Sequence, residues 1–535
     1  MCIRDRFGYG GTTAGLMFGE SSYYFPIFLG LLSIVAFVWG ASSLASYFYR
    51  RAEKAASQIS LLSRVAVLVA GAICIGLCLF GIRGRMGYNP IKVSQAYYCE
   101  DPFLNQLGVN PVFNLLTSTL DDNRKENRTL HLMSEEDALS KVQKYLHRQG
   151  IDRLSPIARK VEREGTPNRR NVVLVFMESM SANLMGTFGS DKKLTPYLDS
   201  LYQQSLSFSH FYSSGIHTNH GIYSTLYSFP AIMKRNAMKG SVIPVYSGLP
   251  TVLQENGYCN LFFMTHESQY DNMNAFLRTN GFDEIYAQEN YPSEKVVNSF
   301  GVQDDFMYQY ALPILNERAG TGNPFFCVLL SISNHPPYVI PPYFHPHSDV
   351  LEEQIVEYAD WSIRQFMQAA EKQPWFDNTI FVFLGDHGKM VGTPECEMPQ
   401  SYNHIPLMIY GKDIKPGVYD GFGGQVDVSP TLLGLLNISY LQNNFGVNLL
   451  EEERPCMFFT ADNLIGARDS VNMFIYSPDS QQEFKYKLEE GKLHAATGTD
   501  EEAFRNLKDY CFSMLQSTES LVKEHKTLDK VSVKK

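Results

Sequence analysis

The sequence predicts an α/β fold: a doubly wound, mostly parallel sheet with helices on both faces, preceded by transmembrane helices. Three observations lead there. In Thr379-Ile-Phe-Val-Phe-Leu-Gly-Asp-His-Gly388, the residues from Thr379 to Leu384 are β-branched, aromatic or aliphatic without alternation. That pattern suits a strand buried on both faces, as in a parallel sheet covered by helices. Similar runs alternate with amphipathic helical stretches from Asn171 onward, the order of a doubly wound domain. Near the start, Tyr24 to Phe48 and Val65 to Ile82 carry no charge, and crossing a bilayer takes about 20 such residues.

The 535 residues exceed one ordinary domain, and 44% hydrophobic against 19% charged residues describe a chain that folds. A formal net charge of −10 gives a nucleic-acid partner no electrostatic support. Nine cysteines without CxxC spacing argue against a structural zinc knuckle.

In chain order, residues 1–85 read as a membrane region with spans at about 24–48 and 65–82. Two buried core helices are the alternative. Arg50, Arg51, Lys54 and Arg64 against Glu53 make the connecting loop basic, which places it in the cytoplasm and both flanks outside. The Gly-rich beginning without a signal peptide fits a piece that has lost earlier spans. Residues 86–167 form a helical connector, with a charged helix from Ser134 to His147 opened by Ser134-Glu-Glu-Asp137. A long soluble region, 168–520, follows the polar linker Gly165–Arg170. Its strand-like runs are Val172–Met177, Leu261–Met264, Phe325–Ile332, Thr379–Leu384 and Ile405–Tyr410. Glu352 to Lys372 reads as a sheet-covering helix with Ile355, Ala359, Ile363 and Phe366 on one face. The basic tail, 521–535, is expected to be solvated and frayed beyond Lys523.

The residues at the ends of these runs carry the chemistry. Glu178-Ser179 comes directly after the first, Thr265-His266 after the second, Asn334-His335 after the third and Asp386-His387 after the fourth, while His404 opens the fifth. Ionisable residues gathered at one edge of an α/β sheet mark an active site. Asp386 and His387 offer hard oxygen and borderline nitrogen to a divalent cation; a strand-end turn with a capping Asp is the plainer alternative. Thr218, in Gly215-Ile-His-Thr-Asn-His-Gly221, sits where a loop enters a helix, so the helix dipole would stabilise its alkoxide. Helix capping is the other reading of Thr218, and Ser179, Ser181 and Ser224 are competing hydroxyls.

Taken together, Glu178, Leu194-Thr-Pro-Tyr-Leu198, Thr218 with Gly221 and Pro230, Ser333-Asn-His335, Tyr358-Ala-Asp360, Asp386-His-Gly388 and Val426-Asp-Val-Ser-Pro-Thr-Leu-Leu433 resemble one family. It is the lipoteichoic acid synthase and phosphoglycerol transferase branch of the alkaline phosphatase/sulfatase superfamily. The resemblance implies an alkaline phosphatase-like fold, a sulfatase-like catalytic domain at 168–520 and a multi-pass anchor in the cell membrane, with the catalytic domain extracytoplasmic. It implies Glu178, Thr218, Asp386 and His387 as ligands of one divalent cation, manganese favoured and magnesium possible. Thr218 would be the nucleophile; His266 and His335 would contact the substrate phosphate, with His335 also catalytic. His404 stands before Ile405-Pro406 where the family tends to carry arginine, and reads as a contact to the phosphate or to a second metal, or as a structural histidine. The implied function is transfer of a phosphoglycerol or related headgroup from a phosphatidylglycerol-like phospholipid to a glycan or glycolipid of the envelope. A phosphodiesterase, phosphatase or sulfatase, and a non-catalytic envelope scaffold, are the rival readings. The Cys/Ser-x-Pro-x-Arg signature of sulfatases is absent around Thr218, and Tyr270-Asp-Asn-Met-Asn274 lacks the arginine that often ends that pattern.

Overall fold

A run of residues that are all apolar can satisfy neither water nor an amphipathic face, so it becomes a central strand covered on both sides. The computed structural model describes residues 24–55, 60–86, 90–99, 102–122, 129–151, 154–240, 243–489, 491–496 and 501–528. It divides into two units, Met1–Lys92 and Val93–Lys535.

In the first unit, helix α1 is Tyr24–Ala55 and α2 is Leu61–Arg83. The Ser60 hydroxyl caps α2 by accepting from the Ser63 N–H, and left-handed Gly84 ends it. Among the described residues, α2 is the one helix long and apolar enough to cross a membrane. Its apolar side chains are exposed, Leu62 and Ile82 among them. The basic stretch expected as a loop is largely helical, because α1 continues through Arg50, Arg51 and Lys54.

The second unit is built on an eight-stranded sheet. Its strands are β1 (Asn171–Met177), β2 (Leu206–Tyr212), β3 (Cys259–Met264), β4 (Glu284–Tyr286), β5 (Phe325–Leu330), β6 (Thr379–Gly385), β7 (Leu407–Tyr410) and β8 (Gly417–Gly424). Their spatial order is β8-β2-β7-β6-β1-β5-β3-β4. All pairings are parallel except those of β7, which runs against β2 and β6. The sheet is therefore mixed, and the predicted mostly parallel architecture holds. Every residue of β1, β5 and β6 is buried. Val172, Leu174 and Phe176 face one core, and Val173, Val175 and Met177 the other. Each such side chain contributes about 1.5–3 kcal/mol through burial.

Helices α4 (Pro196–Gln204), α6 (Asp304–Ala319) and α7 (Leu351–Ala370) join the second of these cores, whereas α5 (Thr218–Tyr227) and α8 (Val428–Leu435) join the first. The predicted face of α7 is buried as expected. From Val93 onward the connector stretch belongs to this unit: its helix α3 (Glu135–Tyr145), capped by Ser134, sets Tyr145 edge-on to Tyr510 at 5.0 Å.

A second sheet has no counterpart in the sequence reading. It is antiparallel and comprises β9 (Met457–Ala461), β10 (Leu464–Arg468), β11 (Asn472–Ser477), β12 (Gln482–Glu489) and β13 (Lys492–Ala495), backed by α9 (Glu501–Lys523). The chain beyond α9 differs from its expected fraying. The Thr527 carbonyl accepts from the Ser247 N–H, and Asn443 donates to the carbonyls of Lys526 and Leu528. The remaining tail, 529–535, lies outside the described residues.

Candidate active site and metal centre

Four neighbouring strands, β6, β1, β5 and β3, end at one edge. Met177 pairs in register with Gly385, so Glu178 and Asp386 leave the sheet side by side. The backbone turns at Ser179, whose φ is 51°. Its N–H donates to Asp386 Oδ1 at 2.8 Å and its hydroxyl to Glu178 Oε1 at 2.7 Å. Asp386 thus orients the Glu178 loop, and its Oδ1 also accepts from the His387 N–H at 2.8 Å.

His387 Nδ1 lies 2.8 Å from the Gly388 carbonyl oxygen. A carbonyl only accepts, so Nδ1 carries the proton and Nε2 presents its lone pair. That lone pair lies 3.7 Å from Glu178 Oε1 and 3.5 Å from Asp386 Oδ2. The ligand atoms of Glu178, Asp386 and His387 all fall within 4.8 Å of one another. Asp386 Oδ2 is buried without a hydrogen-bond donor. Burial and the adjacent Asp386 carboxylate push the Glu178 carboxyl well above its ordinary range. Electron-rich atoms held this close in a buried pocket repel unless positive charge stands among them. Two hard oxygens and one imidazole nitrogen make a donor set that fits a divalent cation.

Thr218 comes to this cluster from α5. It is the first residue of the helix; His217 occupies the capping position. The capping role therefore falls away, and Thr218 Oγ1 lies 3.5 Å from Glu178 Oε2. The competing hydroxyls serve structure: Ser179 donates to Glu178, Ser181 to the Lys389 and Ser401 carbonyls, and Ser224 to the Phe229 carbonyl. Gly221, one turn into α5, lets the helix touch the Asp386 backbone, since a Cβ there would stand 2.2 Å from the Asp386 carbonyl oxygen.

His266 is fully buried against the Tyr270 ring at 4.7 Å. Its Nδ1 meets the Glu267 carbonyl at 3.0 Å and its Nε2 has no partner. Burial pulls its pKa down to about 4. His335 has the same form: Nδ1 sits 2.6 Å from the Pro336 carbonyl, and burial again lowers the pKa. The field at His335 includes His387 and Asp386, and that at His266 includes His335. His404 is placed differently. Its Nε2 lies 2.9 Å from the Ser209 carbonyl and its ring stacks on Tyr212 at 5.3 Å, with Phe188 edge-on at 5.2 Å. Those contacts are the ones a structural histidine makes. Asn274, standing where the family pattern carries arginine, donates to the Ser94 and Tyr97 carbonyls.

Supporting groups surround the cluster; the sequence marked Asn334 at the end of its strand but missed Lys389, Asp304 and Asp462. Asn334 donates to the carbonyls of Glu178 and Ser179, and Lys389 Nζ donates to Asn334 Oδ1 at 2.5 Å. Burial lowers the Lys389 pKa to about 8. Asp304 accepts from the N–H groups of Ile332 and Ser333, fixing the loop that carries His335. Asp462, in the β9–β10 turn, holds His217 Nε2 at 2.8 Å. Lys389 had one visible signal, its place two residues beyond His387; Asp462 had none.

An alkaline phosphatase-like α/β fold with a candidate cation site at its carboxyl edge is the class these features define. The chain belongs to the sulfatase family, whose profile, Sulfatase, matches residues 170–438. A Vibrio parahaemolyticus protein of the alkaline phosphatase superfamily superposes with a TM-score of 0.67 at 25% identity, over 74% of this chain and 97% of that one. The lipoteichoic acid synthase LtaP from Listeria monocytogenes shares the fold, with a TM-score of 0.58 at 22% identity over 72% and 98% of the two chains. Among curated relatives, the lipoteichoic acid synthase-like YvgJ of Bacillus subtilis is 24% identical over 362 residues, 61% of this chain and 56% of its own length. Lipoteichoic acid synthase of Staphylococcus aureus is 23% identical over 400 residues, 66% and 58% of the two chains. The chain spans rather more than half the length of these relatives.

Proposed function

We propose that this protein is a membrane-anchored, metal-dependent transferase that moves a phosphoglycerol or related headgroup from a phosphatidylglycerol-like lipid to a glycan or glycolipid acceptor. The observation that carries the reading is the Thr218 hydroxyl at the start of α5, 3.5 Å from Glu178 within the Glu178–Asp386–His387 cluster. The resemblance to lipoteichoic acid synthases supplies the substrate class.

Glu178, Asp386 and His387, with Thr218 Oγ1, would hold one divalent cation, manganese rather than magnesium on the strength of the nitrogen donor. When bound, such an ion supplies Lewis acidity that stabilises an alkoxide and draws off phosphoryl charge. Thr218 Oγ1 then attacks phosphorus, aided by the N-terminus of α5. A new Oγ1–P bond forms and the P–O bond to diacylglycerol breaks. The proton lost by Thr218 passes to the departing oxygen through His335 Nε2. His266 Nε2, buried and without a partner, would contact the phosphoryl group as a donor once the incoming negative charge has favoured its protonation. In the second half, His335 takes the proton of the acceptor hydroxyl, that oxygen attacks phosphorus, the Oγ1–P bond breaks, and the proton passes from His335 to Thr218 Oγ1. Ser179, Asn334 and Asp304 hold the loops so that these groups stay aligned.

Residues 1–85 would form the multi-pass anchor with α1 and α2 as spans, 86–167 the connector and 168–520 the extracytoplasmic catalytic domain. Incubation with a labelled phosphatidylglycerol, followed by peptide mass spectrometry, tests the chemistry. A phosphoglycerol adduct on Thr218 that needs manganese or magnesium is expected. Turnover undiminished in excess chelator, without an adduct, overturns the reading; release to water alone makes the protein a phosphodiesterase. Protease added to spheroplasts should digest the domain beyond residue 86, and protection would refute the orientation.

A further inference from the structure

The strap that begins at His335 does not end at the active site. It continues through Pro337 and Val339 to Tyr343 and forms one wall of a cavity of about 450 Å3. That size lies in the range of small-molecule sites, about 300–1,000 Å3. The opposite wall is the segment from Glu294 to Gln309, and Trp361 of α7 closes the side. Wall and strap are tied together: Asn298 donates to the Pro337 carbonyl at 3.2 Å and Gln303 to the Val339 carbonyl at 3.0 Å. The Phe300 ring lies 4.2 Å from that of His335, so the cavity and the catalytic edge share one piece of backbone.

We propose that this cavity is a saccharide subsite, taking a neutral pyranose of the acceptor. Phe306, Tyr343 and Trp361 present aromatic surface, against which the C–H face of a sugar packs. Trp361 is held in place by Tyr358, stacked at 5.9 Å, and by Phe344 at 5.5 Å. Between the rings lies a polar edge. Buried Asp305 accepts from the hydroxyls of Tyr343 and Tyr358. The Tyr343 oxygen, having given its proton to Asp305, keeps lone pairs for a sugar hydroxyl. Gln303 and Gln309 add planar amides, groups that pair with vicinal hydroxyls.

Charge decides between a sugar and a phosphate. Among the described residues, the lining holds no arginine; its one cation is Lys295, over the Phe306 ring at 5.6 Å, against two carboxylates, Glu294 and Asp305. An anionic headgroup would meet net negative charge there, whereas a neutral ring meets only hydrogen-bonding groups and aromatic faces. This assignment rests on the transferase reading for the word acceptor, although the saccharide chemistry stands on the cavity alone.

The test uses the full chain in detergent, titrated with maltose and cellobiose, with glycerol 1-phosphate as the anionic control. Binding is read by saturation-transfer NMR. Saturable saccharide binding is expected, at least about tenfold weaker in Tyr343→Ala and Trp361→Ala. Tyr343 is 57% exposed, so Tyr343→Ala keeps the test valid if Trp361→Ala fails to fold. Both folded variants should release headgroup from a fluorescent phosphatidylglycerol analogue within about twofold of wild type, while transfer onto the added disaccharide falls with binding. Absent saccharide binding, unchanged binding in Tyr343→Ala, or competition by glycerol 1-phosphate overturns the subsite. Intact saccharide binding without headgroup release would overturn the transferase reading and leave the subsite standing.

Discussion

Gly221→Ala tests whether the helix that carries Thr218 and the loop that carries Asp386 form one rigid unit. The added Cβ would stand 2.2 Å from the Asp386 carbonyl oxygen, 2.9 Å from its carbon and 3.1 Å from its Cα. Relief to ordinary contact, about 3.2 Å or more, needs a separation of about 1 Å. The clash is backbone against Cβ, so no rotamer absorbs it. Thr218 lies one turn back on the same helix and must move with it. A misplacement of about 1 Å costs a reaction about 10²-fold in rate, or about 2.7 kcal/mol. Overpacking at one site costs about 1–3 kcal/mol of stability. The assay is headgroup release beside a melting curve with and without manganese. The expected variant is folded, melts somewhat lower and turns over about a hundredfold more slowly. Gly417→Ala, where a Cβ meets nothing within 4 Å, is the control and should match wild type. Wild-type turnover and melting in Gly221→Ala would refute the coupling.

Thr218→Ala should remove turnover by several orders of magnitude while its melting temperature stays close to wild type, and Thr218→Ser should keep part of the activity; normal turnover in Thr218→Ala removes the nucleophile. Asp427→Ala leaves the buried Arg454 guanidinium without its two-pronged partner, and should cost about 3–5 kcal/mol in denaturant unfolding. Asp360 accepts from the Tyr197 and Leu198 N–H groups at the start of α4, yet burial pushes its pKa up to about 7, helped by Asp199 and opposed by those N–H groups and Arg364. A raised carboxyl pKa contributes stability that is full below about pH 4 and lost as pH rises through about 7. Asp360→Asn should therefore show a flatter decline in melting temperature from pH 4 to 8 than wild type, and parallel profiles would refute the shift.

Some of this was legible because it is local. The unbroken apolar runs of β1, β5 and β6 suit central strands, and the spacing of Ile355, Ala359, Ile363 and Phe366 suits one helix face; both are found so. Glu178 and Asp386 were visible for the same reason: each is joined covalently to the end of such a strand, so the strand's position sets theirs. His404 shared that placement, because β7 runs antiparallel and its start lies at the same edge. Its role did not follow, since the Ser209 carbonyl and the Tyr212 ring that hold it come from another strand.

The sequence by itself thus determined the α/β class and the residues that strands deliver to one edge of the sheet, Glu178, Asp386 and His387 among them. Strands such as β2, with Ser207, Ser209 and His210 among its apolar residues, and the Gly-rich β8 carry too weak a pattern to be read alone. They exist because β2 pairs with β7 and β8 pairs with β2, and pairing energy depends on the neighbour rather than on composition. Only the tertiary structure brought Asp462 to His217, Lys389 to Asn334 and Trp361 to the strap beyond His335. The separations run from 18 positions (Tyr343 to Trp361) through 55 (Asn334 to Lys389) to 245 (His217 to Asp462), and such contacts form only when the sheet order and the packing of its helices have been decided.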